Sequence, residues 1–117
     1  MKNKNIITIE TSLGRIFITI IKNNQIFSKS SNSSRSIEQE LNMIIDQVMI
    51  KAGLKFNEID LILVSLGPGS FTGIRIGISA AKAIAVCTGA KILGFSNFDS
   101  IYSQFLINKE SYISKNI

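Results

Sequence analysis

From Asp60 to Leu66 the chain reads Asp-Leu-Ile-Leu-Val-Ser-Leu, an almost unbroken apolar run. A strand with no polar face is the mark of a parallel strand buried on both sides. A turn-rich loop follows at once, Gly67-Pro68-Gly69-Ser70-Phe71-Thr72-Gly73. After it the sequence predicts a long apolar helix from about Thr72 to Thr88, then a short strand from Lys91 to Phe95. Two parallel strands cannot be joined by a tight hairpin and need a crossover of this kind. The segment therefore excludes an all-helical bundle and a purely antiparallel barrel, and it demands a sheet with helices packed on it.

The residues before this unit extend the sheet. Residues 4 to 11 are rich in β-branched side chains (Ile6, Ile7, Thr8, Ile9, Thr11) and read as a first strand. Ser12-Leu13-Gly14 is a turn. Arg15 to Ile21 reads as a second strand, apolar on both faces and so central. Lys22-Asn23-Asn24-Gln25 is a polar turn in which Asn tolerates left-handed backbone. A third, shorter strand is expected from Gln25 to Ser30, completing an antiparallel meander. The polar stretch of residues 30–34 precedes a helix capped by Ser34 or Ser36, with Glu38 and Glu40 in its first turn. Ile37, Leu41, Ile44, Ile45, Val48 and Met49 recur at helical spacing, and Ala52-Gly53 makes a good C-cap. A last helix is expected from Asn97, as its cap, to about Leu106. The order βββαβαβα implies a mixed five-stranded α/β sheet whose first and fourth strands are parallel neighbours. That is the half-domain plan of the ribonuclease H and actin-like (ASKHA) superfamily, and a fold alone does not assign a function.

Composition removes several chemistries. The 117 residues contain no His and one Cys. No Ser-His-Asp triad, His-ligated zinc or imidazole acid–base pair can be built from this chain. A lone thiol forms no internal disulfide and fits a reducing compartment. The net charge of +5 comes from scattered lysines with no basic run interleaved with aromatics, which reads as solvated surface rather than a nucleic-acid stripe. The start is too polar for a signal peptide core. The apolar helix carries Lys82 and falls short of the roughly 20 residues that span a bilayer. A soluble cytoplasmic protein with no membrane contact is the expectation.

The stretch from Leu66 to Gly77 carries most information. Gly67 and Gly69 permit positive φ or close backbone approach, and Ser70 or Thr72 can cap the helix. Such a helix start offers free N–H groups to an anion. No Lys follows the glycines, so this is no P-loop, and Thr72 stands where a Rossmann third glycine belongs. Two readings stay open: an anion contact through Gly67, Gly69, Ser70, Thr72 and Arg75, or a tight turn whose glycines serve packing. Beyond the loop, Gly73, Gly77, Ala81 and Ala85 form a stripe of small residues for close approach. Ile74, Ile76 and Ile78 with Ala80 and the 83–86 stretch make this helix apolar nearly all round. Such a helix is buried on more than one side, and in a chain of this length the second side implies a protein partner.

Gly-Pro-Gly-Ser-Phe-Thr-Gly-Ile-Arg-Ile-Gly at residues 67–77, the Ser-Ala-Ala-Lys-Ala helix, the following Ile-Leu-Gly-Phe-Ser and the opening Ile-Thr-Ile-Glu-Thr-Ser closely resemble the TsaB (YeaZ) family. The resemblance covers residues 5 to about 102. It implies a non-catalytic subunit of the machinery that makes threonylcarbamoyladenosine at adenosine 37 of tRNA. It implies a heterodimer with the catalytic subunit TsaD through a helical bundle, a ternary complex with the P-loop subunit TsaE, and tRNA contact only through that complex. ATP and metal are expected on the partners, with no cofactor and no metal site on this chain. A homodimer is expected in isolation. The bundle helices would be about Ser36 to Lys51 and Thr72 to Thr88, with Leu41, Ile44, Ile45, Val48, Gly73, Ile74, Gly77, Ile78 and Ala81 as candidates for core or interface. Arg75 matches the family's Arg and would pair with an acidic or phosphate group, or with a structural carboxylate. Glu10 replaces the family's Asp, and Ser36 or a neighbour replaces the His that commonly opens the first bundle helix. Family members are commonly longer, with a second actin-like lobe. Residues 1–107 are expected to be the N-terminal lobe, residues 108–117 a polar tail, and the second lobe absent. The alternatives are a self-associating remnant without pathway activity, and a small actin-like protein binding ATP at Glu10-Thr11-Ser12 and the glycine loop.

Overall fold

The computed structural model describes residues 4–31 and 36–98. Three strands open the chain, β1 (Ile6–Glu10), β2 (Ile16–Lys22) and β3 (Gln25–Ser31). They are followed by α1 (Ile37–Ala52), a short 3-10 helix (Phe56–Glu58), β4 (Leu61–Ser65), α2 (Phe71–Thr88) and β5 (Lys91–Phe95). The sheet runs β3-β2-β1-β4-β5. β1 pairs antiparallel with β2, placing Thr8 opposite Thr19, and parallel with β4, placing Ile7 beside Ile62. β4 and β5 are parallel, as the crossover demands. The expected actin-like half-domain plan, with its mixed five-stranded sheet, is the observed one.

Local chemistry accounts for each joint. Asn23 and Asn24 both take positive φ, 51° and 64°, the backbone that a two-residue hairpin between twisted strands requires. β3 is as long as β2 rather than shorter, because every residue from Ile16 to Lys22 finds a ladder partner. The Ser36 side chain accepts the Gln39 N–H at 3.3 Å to cap α1, and Gly53 ends the helix in the left-handed conformation at φ 64°. Lys22 reaches across from β2 and donates to the last α1 carbonyls, Ala52 at 3.2 Å and Gly53 at 3.1 Å. The 3-10 helix was not legible as an element. It is held by Glu58, whose carboxylate accepts the Lys55 N–H at 2.9 Å.

Both described helices lie on one face of the sheet. Ile7, Ile9, Ile18, Ile20, Ile62 and Val64 point into it and are buried together with Leu41, Ile44, Ile45, Val48 and Ala81. The opposite face, carrying Thr8, Phe17, Leu63 and Leu93, is half-buried or exposed among the described residues. β2 is internal, as expected, yet Phe17 on its second face remains 38% exposed. The helix expected from Asn97 is described only at Asn97 and Phe98; its remainder, the polar tail and Ser34 lie outside the described residues.

Candidate functional site: a sealed crevice and an open helix face

The carboxyl ends of β1 and β4 meet where the chain turns left to β2 and right to α2. In open α/β sheets such a switch point is where ligands usually bind. Here the chain's own groups fill it. The Glu10 carboxylate accepts from the Ser12 N–H at 2.6 Å and from the Ser12 hydroxyl at 2.5 Å. Asn97 donates through its amide nitrogen to Ser12 Oγ at 2.9 Å and to the Pro68 carbonyl at 2.8 Å. The Ser65 hydroxyl donates to Asn97 Oδ1 at 2.9 Å and accepts the Gly67 N–H at 3.2 Å. Ser12 and Ser65 are buried, and no buried side-chain polar atom lacks a partner among the described residues. The sequence reading missed this role of Asn97. Its side chain was expected to cap a helix and turns back to the sheet instead, a contact across 85 positions of chain.

The glycine motif builds the wall of this crevice. Ser70 caps α2 by accepting the Gly73 N–H at 3.1 Å, and its own N–H donates to the Ser12 carbonyl at 2.7 Å. Thr11 Oγ1 donates to the Gly73 carbonyl at 2.6 Å. A Cβ on Gly69 would stand 2.2 Å from the Ser12 carbonyl oxygen, and one on Gly73 would stand 2.1 Å from that of Thr11. On Gly77 it would meet Thr11 Oγ1 at 2.5 Å. Close packing of α2 on the end of β1 therefore accounts for these glycines. Gly67 takes φ +87°, which favours glycine on conformational grounds. Thr72 is exposed, and Arg75 lies over the Phe71 ring at 5.7 Å from its centroid, a cation–π distance. Arg75 has no carboxylate partner among the described residues.

The outer face of the helices is a different surface. Leu41, Ile44, Ile45, Val48, Gly73, Gly77 and Ala81 are all buried against the chain's own sheet. Of the core and bundle-interface roles open to them these seven take the core, because the small-residue stripe is where α2 can come closest to the strands. Ile74 and Ile78 are partly exposed. Exposed on α2 are Phe71, Thr72, Arg75, Ser79, Lys82, Ala83, Val86 and Cys87. Val86 is 86% exposed and Phe71 73%. On α1 the outward set is Glu38, Asn42, Met43, Asp46 and Ile50. Between the helices runs an open groove of about 560 Å³ floored by Leu41, Ile76 and Ala80. With 18 residues α2 is long and apolar enough to cross a membrane, where the sequence reading held it short. Its position as the crossover between adjacent parallel strands sets it along the sheet.

A family model described as TsaD, tRNA N6-adenosine threonylcarbamoyltransferase, matches residues 22–113. The chain is 30% identical over 99 residues to the tRNA threonylcarbamoyladenosine biosynthesis protein TsaB of Buchnera aphidicola, covering 85% of this chain and 47% of that protein. It is 30% identical over 76 residues to the tRNA N6-adenosine threonylcarbamoyltransferase of Geobacillus thermodenitrificans, covering 64% of this chain and 22% of that one. The structure of YeaZ from Pseudomonas aeruginosa superposes with a TM-score of 0.77 at 23% identity, over 80% of this chain and 44% of that one. RuvC from T. thermophilus, solved with a Holliday junction, shares the fold more distantly, with a TM-score of 0.53 at 7% identity over 82% of this chain and 66% of that one. The chain spans less than half the length of the TsaB and YeaZ proteins it matches.

Proposed function

The chain belongs to the TsaD (tRNA N6-adenosine threonylcarbamoyltransferase) family, on its TsaB (YeaZ) side, and from that premise we propose that it serves tRNA threonylcarbamoyladenosine biosynthesis as a non-catalytic docking subunit. The observation that carries this reading is the division of α2. One face, Gly73, Gly77 and Ala81, is spent on the chain's own sheet, and the other presents Phe71, Ala83 and Val86 outward beside α1. An exposed apolar helix face of this kind is an association surface.

The crevice supports the same division of labour. Its serines, its carboxylate and its asparagine are bonded to one another, and the Ser12 carbonyl ties this network to the start of α2 through the Ser70 N–H. Among the described residues no three His, Cys, Asp or Glu side chains gather in a way that could hold a metal ion. In this reading the transfer chemistry, with its ATP and metal, belongs to TsaD and TsaE. This chain holds TsaD through the α1–α2 face, and tRNA meets it only within the assembly.

The test is co-elution of the chain with the TsaD of the same source, followed by threonylcarbamoylation of tRNA in a reconstituted reaction. The wild-type chain is expected to co-elute and to raise modification. Val86→Glu is expected to abolish co-elution while leaving the fold intact, because Val86 touches little of its own chain. A well-folded wild-type chain that neither binds TsaD nor raises modification overturns the proposal.

A further inference from the structure

We draw no further inference here: the strongest candidate, the second face of the sheet with Phe17, Leu63 and Leu93 half-buried or exposed on it, carries nothing, since nothing among the described residues shows what covers it.

Discussion

Single residues decide how closely α2 approaches the sheet. Gly73 sits where a methyl group would overlap the Thr11 carbonyl oxygen, a backbone atom that cannot swing aside. Gly73→Ala should therefore destabilise the chain by about 1–3 kcal/mol, read from the urea midpoint, with α2 pushed off β1. Gly14 is the contrast: its φ of +76° still favours glycine, but open space surrounds it, so Gly14→Ala should cost less, about 1 kcal/mol. Asn97 closes the crevice by holding Ser12, Ser65 and Pro68 at once. Asn97→Ala would strip partners from two buried hydroxyls and should lower stability by about 1–3 kcal/mol in the same titration. The glycines of the motif were legible as a tight strand-to-helix turn. Which backbone atom each glycine makes room for was not, since Thr11 and Ser12 lie far back in the chain.

At the scale of elements, capping and periodicity did most of the work. α1 carries a polar cap, acidic residues in its first turn, Lys51 in its last and a left-handed Gly53 after it, each placed as elementary helix chemistry requires. The two caps are unequal. Ser70 accepts at 3.1 Å and is tied to β1 through its own N–H, whereas the Ser36 bond is 3.3 Å and exposed. Ser70→Ala should cost about 1–2 kcal/mol and Ser36→Ala about 0.5 kcal/mol, compared by thermal unfolding of the two variants. α2 resisted reading because it is apolar nearly all round. Hydrophobic periodicity points a helix toward its core only when one side is polar. The stripe Gly73, Gly77, Ala81 was visible as a place for close approach by a sheet or another helix, and the chain's own sheet takes it. Small residues go where backbones come closest, and within this chain that is the sheet.

In the whole molecule the sheet is the frame, and α1 and α2 cover one of its faces. β1 is flanked on both sides by strands, and Ile7 and Ile9 are fully buried, whereas β3 and β5 are edges. Native-state hydrogen exchange should therefore be slowest in β1 and fastest at the free edges of β3 and β5, with α1 and α2 between them. Equal protection in β1 and β3 would contradict the strand order. The order of the five strands and the two long helices, the parallel crossover from β4 through α2 to β5 and the hairpin at Asn23-Asn24 were determined by sequence alone, because they rest on local periodicity and turn chemistry. Tertiary structure alone decided that the motif glycines pack against β1, that Asn97 seals the crevice and which side of α2 the sheet takes. Each of those outcomes depends on atoms distant in the chain meeting at van der Waals range, and no local pattern of residues encodes which of two apolar helix faces the sheet will take.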